Sequence, residues 1–247
     1  MRQLTAVQYY LRARNLHKIG QYQAALYDYN KAISLEPENP KYYSNRAHTY
    51  SKLSQYSEAI QDYNLAIKLD TDNIEYYYYR GQAYYILAQY QAALEDISIV
   101  IETYPSNKSY FIRGNSYLYL GKHQEALKDY DQAIKLLPYD AECYEHRGFI
   151  YRLFNQHQEA INNYTKAIEL EPRAANYYAI RGSIYNEMQQ YQEALRDYNK
   201  AIKLDPHEIS YYKSRGQIYY ILQKHQAAID DFTTFLNMIP AAKIYNF

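Results

Sequence analysis

Small and aromatic residues recur along the chain at helical spacing and with a fixed long period. A small residue returns every 34 residues, with one step of 33, at Ala13, Ala47, Gly81, Gly114, Gly148, Gly182 and Gly216. A tyrosine stands four residues before each of them, and a second aromatic follows that tyrosine seven residues later in every unit except the first, which has Leu16. Because positions seven apart share one face of an α-helix, the pattern predicts one helix, helix A, in each unit.

A second helix, helix B, is predicted by an alanine that lies twelve residues after each small residue. These alanines are Ala25, Ala59, Ala93, Ala126, Ala160, Ala194 and Ala228. An aromatic residue follows four positions later in every unit but the third, which has Ile97. Proline then closes six of the seven units, as at Pro37 and Pro138, and Thr71 is the exception. Proline cannot continue a helix, so each unit is predicted to be helix, turn, helix, turn.

The order aromatic, small, Tyr, Ala, aromatic, Pro over 34 residues resembles the tetratricopeptide repeat (TPR), across about residues 6 to 242. Tyr stands where that family often has Trp, and Arg stands where it has Leu. The resemblance implies an all-α, right-handed superhelical solenoid of antiparallel helix pairs, in which helix A lines a concave groove. The predicted units are 6–39, 40–73, 74–106, 107–140, 141–174, 175–208 and 209–242, as a single array with a short tail at 243–247.

Two series of charged residues follow the same period. An arginine precedes each small residue, at Arg12, Arg46, Arg80, Arg113, Arg147, Arg181 and Arg215. An aspartate follows the helix B alanine by three positions, at Asp28, Asp62, Asp96, Asp129, Asp197 and Asp231, and Asn163 takes that position in the fifth unit. Buried charges need opposite partners, so we expect a structural network of Arg, Asp and Tyr. The alternative is that the arginines bind phosphate or carboxylate groups of a ligand.

The groove implied by the resemblance changes in character along the chain. Its candidate binding residues in the first two units are basic and polar, and those in the middle units are aromatic. They are Tyr10, Arg14, Lys41, Asn45, His48, Tyr78, Tyr79, Gln82, Tyr85, Phe111, Asn115, Tyr119, His146 and Phe149. Aromatic residues with a polar tip commonly anchor protein interfaces, so this predicts a peptide with an acidic end and apolar side chains as the partner. The alternative is that the tyrosines only fill contacts between repeats.

Composition narrows the class of partner. Lys plus Arg and Asp plus Glu both number 27, so no excess positive field favours nucleic acid or an anionic membrane. No apolar run approaches the length of a membrane span, and the N-terminal residues do not read as a secretory signal. With a single cysteine, Cys143, an internal disulfide is excluded, and we expect a cytoplasmic protein.

Catalytic chemistry is not predicted. Cys143 and His146 offer only two metal-type ligands, and the His-x-Glu at His123 lacks the Pro-Cys-x-x-Cys that zinc deaminases require. We therefore expect no enzyme activity, no cofactor and no metal.

The C-terminal end of the chain suggests a second function. A terminal repeat needs a polar cap to cover its last apolar face, and few residues follow Pro240. Its apolar side chains would then be partly bare, at Phe232, Phe235, Leu236 and Ile239. Either the tail folds back, or the chain is a fragment, or it is a structural homo-oligomer that assembles through this C-terminal edge.

Overall fold

The computed structural model describes residues 4–239, in which every regular element is an α-helix. Within that range there are fourteen helices: α1 (Ala6–Lys18), α2 (Tyr22–Leu35), α3 (Pro40–Lys52), α4 (Tyr56–Leu69), α5 (Ile74–Ile86), α6 (Tyr90–Thr103), α7 (Asn107–Tyr119), α8 (His123–Leu136), α9 (Ala141–Leu153), α10 (His157–Leu170), α11 (Ala175–Glu187), α12 (Tyr191–Leu204), α13 (Ile209–Ile221) and α14 (His225–Met238). The odd-numbered helices are helix A of each repeat and the even-numbered ones are helix B. The predicted all-α architecture of helix pairs is confirmed.

Helices pack with their neighbours in sequence inside two compact units. The N-terminal unit, residues up to Leu136, contains repeats one to four, and the C-terminal unit, from Leu137 onwards, contains repeats five to seven. Inside each unit, helix A contacts its own helix B and the helix B of the preceding repeat. The single array over residues 6–242 stays a prediction, and the tail at 243–247 lies outside the described residues.

Every turn from helix A to helix B contains one residue in the left-handed region. Gly20 and Gly121 occupy it with φ of +79° and +72°, whereas five other repeats place a non-glycine residue there, for example Ala88 at +57°. The turn closes in the Schellman manner, in which the N–H of Lys122 donates to the carbonyl of Tyr117 at 2.9 Å. Residues with a Cβ pay about 1 kcal/mol for this conformation, so the pairing of helices must outweigh that cost.

The contact between helix A and helix B depends on the small residues of the period. The helix B alanines are almost completely buried, and a Cβ added to Gly114 would lie 3.1 Å from the ring of Tyr130. Ala13 and Ala47 hold the same position in the first two repeats and are completely buried, so a methyl group is accommodated there. The two helices can therefore approach closely in each repeat, as the period predicts.

The contact between repeats depends on a position that sequence reasoning passed over. The residue just before each recurrent tyrosine of helix A is buried in six repeats, at Tyr42, Tyr76, Ser109, Cys143, Tyr177 and Tyr211. Tyr42 packs on Ala32 of the preceding helix B, and its hydroxyl donates to Glu36 at 2.8 Å. Burial, together with this hydrogen bond, raises the pKa of Tyr42 to about 12. The doubled tyrosines of the sequence were the available signal for this interface.

Candidate functional site

The arginine of each repeat lies against aromatic rings or a single ring and donates to an acceptor on helix B, as Arg80 shows. Its Nε and Nη2 donate to the two carboxylate oxygens of Asp96 at 2.8 and 2.6 Å. The rings of Tyr77 and Tyr84 lie 5.5 and 5.8 Å from the guanidinium carbon, within the range of cation–π attraction. Its Nη1 donates to Asn64 of the preceding repeat at 2.6 Å. The side chain therefore ties helix A to helix B and one repeat to the next.

The same arrangement recurs along both compact units. Two-point hydrogen bonds from Arg to Asp join Arg12 to Asp28, Arg46 to Asp62, Arg113 to Asp129, Arg181 to Asp197 and Arg215 to Asp231. In the fifth repeat Arg147 donates to Asn163 at 2.8 Å. Hydrogen bonding to Asp129 raises the pKa of Arg113, so this guanidinium stays charged. These donors are occupied inside the protein, which leaves them poorly placed for a ligand.

Exposure separates the first arginine from the others. The side chain of Arg12 is 52% exposed, whereas those of Arg46, Arg80, Arg113, Arg181 and Arg215 lie between 16% and 20%. Repeat one has no described helix B before it, so Arg12 lacks the partner that Asn30 provides to Arg46 at 2.6 Å.

Contacts between repeats indicate which side of each unit helix A occupies. In the N-terminal unit α1 touches α3 and α5 touches α7, and in the C-terminal unit α11 touches α13. No two consecutive helices B make a comparable contact among the described residues. Helix A therefore lies on the inner side of the local curvature. The surface of α1, α3, α5 and α7 that faces away from the B helices is called the A-helix face of the N-terminal unit.

The predicted groove residues have three degrees of exposure. Arg14, Lys41, Tyr119 and Phe149 are exposed, and nine others are half-buried: Tyr10, Asn45, His48, Tyr78, Tyr79, Gln82, Tyr85, Phe111 and His146. Asn115 differs from the prediction, because it is only 2% exposed. Its Oδ1 accepts from the hydroxyl of Tyr130 at 2.5 Å, and its Nδ2 donates to Tyr85 at 3.3 Å. Asn115 thus lies beneath the A-helix face and holds two tyrosines in place.

A small cleft opens between α3 and α5, and we call it the Lys52 cleft. It has a volume of about 260 Å³, and its walls include His48, Ser51, Lys52, Tyr63, Tyr79 and Gln82. The ring of His48 meets the ring of Tyr79 edge-on at 4.2 Å, and its Nδ1 lies 3.1 Å from the hydroxyl of Tyr63. Burial, with the charges of His17 and Lys52, lowers the pKa of His48 to about 4. His48 is therefore neutral at pH 7, and Lys52 is the cation of the cleft.

A larger cleft lies on the other side of Tyr79, and we call it the Tyr104 cleft. It has a volume of about 730 Å³, and Ile74, Val100 and Pro105 line it together with the rings of Tyr78 and Tyr104. It sits at the turn between α6 and α7, where the sequence period shortens by one residue. Tyr104 is 70% exposed there. The shortened repeat thus coincides with an apolar depression.

Aromatic rings continue along the face from repeat three to repeat four. Tyr90 and Tyr119 stack with their centroids 4.7 Å apart and their planes inclined by 10°. Tyr85 lies 6.0 Å from Tyr90 and completes the group. This cluster borders solvent, because 59% of the surface of Tyr119 is exposed.

The A helices of the C-terminal unit present different chemistry. Arg152 donates to Ser183 at 2.8 Å and pairs with the carboxylate of Glu187 in the next repeat. A cleft of about 500 Å³ lies nearby, lined by Asn186, Gln217 and Phe232 among others. Arg152 on this face therefore has an acidic partner inside the unit.

The last described helix exposes part of the predicted C-terminal edge. Leu236 is 57% exposed, and Phe232, Phe235 and Ile239 are partly buried. The amino group of Lys213 lies 5.8 Å from the centre of the Phe235 ring and covers one side of it. The residues expected to form the tail, from Pro240 on, are outside the described range.

Within residues 4–239, no helix is long and apolar enough to cross a bilayer, and no cluster of three or more metal-type ligands occurs.

Taken together, repeated antiparallel helix pairs with an arginine that joins the two helices of each pair define a helical-repeat protein. Family models for tetratricopeptide repeats match residues 13–54, 48–86, 108–140, 141–173 and 182–223, which is more than half of the chain. The chain belongs to the tetratricopeptide repeat family, whose fold serves as a protein-interaction scaffold.

Solved structures agree with this fold. A crystal structure of MamA is 26% identical with a TM-score of 0.62, covering 67% of this chain and 97% of that one. The C-terminal part of a TPR protein from Cytophaga hutchinsonii is 19% identical with a TM-score of 0.81, covering 94% and 96%. YrrB, described as a TPR protein with an unusual peptide-binding site, is 22% identical with a TM-score of 0.66, covering 76% and 97%. No curated protein matches the chain.

Proposed function

We propose that this protein is a non-catalytic cytoplasmic scaffold that binds an extended segment of a partner protein on the A-helix face of its N-terminal unit. The coarser role, a protein-interaction scaffold, follows from the family. The choice of face and of a peptide, rather than nucleic acid or a membrane, is our own inference. Neither the partly buried arginines nor the acidic residues that hold them are needed for it.

The observation that carries the proposal is the pair of open clefts on either side of Tyr79. Half-exposed rings and an amide line them, and these groups give large contact area at small entropic cost. Lysines also point outward on this face, as Lys41 and Lys52 do, whereas the arginines of the repeat period are used internally. A protein segment with acidic and apolar side chains complements such a surface.

The test begins with selection of random peptides against the full chain, using peptides of about 12 residues, long enough to cross four helices packed about 9 Å apart. Affinity of a selected peptide is then measured by fluorescence anisotropy for Tyr79→Ser and for the control Tyr27→Ser. Tyr27 lies on helix B and is 59% exposed, so its loss removes a ring of equal size from another face. We expect binding to weaken about tenfold for Tyr79→Ser only. Equal affinity for both variants would place the binding surface elsewhere.

A second function, assembly of a structural homo-oligomer through the C-terminal edge, is favoured by the exposure of Leu236. Light scattering over a dilution series measures it directly. Mass that rises with concentration in the wild-type chain and not in Leu236→Glu would support assembly through α14. A constant monomer mass at all concentrations would dismiss it.

A further inference from the structure

The Lys52 cleft is suited to an anionic group. Lys52 is the one side chain among its lining residues that is charged at pH 7, and none of those residues is a carboxylate. No described residue forms an ion pair with Lys52. Gln82 and Ser51 add hydrogen-bonding groups beside it. The cleft thus contains a positive charge whose neutralising partner is not supplied by the described part of the chain.

The Tyr104 cleft has the opposite character. Val100, Ile74 and Pro105 form apolar walls, and Tyr104 contributes an exposed ring. Its one carboxylate, Glu75, belongs to the first turn of α5, where it complements the helix dipole. A second acidic group would be repelled here, and an apolar side chain would gain by leaving water.

Tyr79 lines both clefts and separates them. Its ring contacts His48 on the side of the Lys52 cleft and lies 5.1 Å from the ring of Tyr78 on the other. Two side chains that flank a ring are separated by roughly 7 Å, which is the distance between residues i and i+2 of an extended strand.

We propose that the two clefts are paired subsites for one extended protein segment. The Lys52 cleft binds a carboxylate side chain, and the Tyr104 cleft binds an apolar or aromatic side chain two residues away. This inference rests on the proposed function and specifies its ligand. The carboxylate is favoured over a phosphorylated side chain because phosphate recognition typically uses arginine clusters. The neighbouring Arg46 and Arg80 already hold Asp62 and Asp96.

The experiment uses a peptide selected against the full chain, with its acidic residue changed from Glu to Gln in one synthetic version and its apolar residue changed to Ser in another. Binding is measured for wild type, for Lys52→Met and for the control Lys68→Met. Lys68 is an exposed lysine on helix B of the same repeat. We expect the Glu to Gln change to cost about tenfold in affinity with wild type and with Lys68→Met, and little with Lys52→Met.

The Tyr104 cleft is tested by the same logic. Changing the apolar residue of the peptide to Ser should weaken its affinity for the wild-type protein about tenfold. The same peptide change should weaken its affinity for Tyr104→Ser by a smaller factor. Because the peptide changes need no protein variant, they keep the test valid even if a variant folds poorly.

The outcomes separate this inference from the function beneath it. Selected peptides that need no acidic residue, or whose Glu to Gln loss persists in Lys52→Met, would overturn the paired subsites while leaving peptide binding intact. Tighter binding of a phosphoserine version than of the Glu version would overturn the carboxylate. Failure to select any peptide would remove the proposed function and this inference with it.

Discussion

The inner faces of repeats two and three and of repeats six and seven are built on the same frame but differ in charge. Gln82 and Ile86 line the Lys52 cleft, and Gln217 and Ile221 hold the same repeat positions beside the cleft of the C-terminal unit. The position of Lys52 is taken by Glu187 in repeat six. Ser214 likewise stands where the N-terminal unit has Tyr79.

The difference shows what the repeat leaves free to vary. Glu187 already pairs with Arg152, so this cation of the C-terminal face has an acidic partner within its own unit. Lys52 has no such partner among the described residues, and the N-terminal face keeps its positive charge. The packing positions are the same in both units, and the outward positions of helix A decide which chemistry each face offers.

The largest effect is expected where the two units are alike. Arg80→Leu and Arg215→Leu should each lower the free energy of unfolding by roughly 3–5 kcal/mol, because each leaves a buried aspartate without its partner. The two arginines are equally exposed, at 18%, and both bridge to an asparagine of the preceding repeat. Chemical denaturation followed by circular dichroism measures both losses.

A matched control is Arg196→Leu. Arg196 is 73% exposed and pairs with Glu193 on the same helix, so its loss should cost less than about 1 kcal/mol. Markedly unequal losses for Arg80→Leu and Arg215→Leu would show that the frame is not shared by the two units.

Acid should weaken the N-terminal unit through His48, whose place Ser183 takes in the C-terminal unit. The folded pKa of His48 is lowered to about 4, mainly by burial, whereas an unfolded histidine titrates near 6.5. The unfolded chain therefore binds the proton first as pH falls. Stability from this group is complete above about pH 6.5 and declines toward pH 4, by on the order of 3 kcal/mol.

Two measurements check this prediction. The ring signals of His48 in a nuclear magnetic resonance titration should have their midpoint near 4. His48→Gln should lose less stability than wild type between pH 7 and pH 4.5, because in this range the unfolded histidine takes up its proton before the folded one does. A midpoint near the ordinary histidine pKa would mean that water reaches the ring and that the Lys52 cleft is more open in solution.

The smallest effect is expected at the ion pair that distinguishes the C-terminal face. Glu187→Gln should lower the free energy of unfolding by less than about 1 kcal/mol, because the side chains of Arg152 and Glu187 are 30% and 37% exposed. It should also leave Arg152 without its acidic partner. Thermal denaturation measures the stability change. A loss above about 2 kcal/mol would mean that this pair stabilises the fold as the buried Arg–Asp pairs do.

Much of the fold could be predicted from particular residues. The alanines and glycines of the period marked the contact of helix A with helix B, and Pro37 and Pro138 marked ends of repeats. The burial of Asn115 could not be predicted from its position in the repeat. Residues at the same repeat position, such as His48 and Phe149, are partly exposed or exposed. Only the placement of Tyr85 and Tyr130 around Asn115 decides that it is buried.

The sequence by itself determined the helices, their pairing and the family, because each of these depends on contacts within about one repeat and so leaves a periodic trace. The tertiary structure alone decided which outward side chains meet across repeats. His17 reaches Thr49 at 2.9 Å, and Arg152 reaches Glu187 one repeat further along the chain. Those meetings depend on the rotation between successive helices A, a quantity that the period does not encode. The open charge of Lys52 has the same origin.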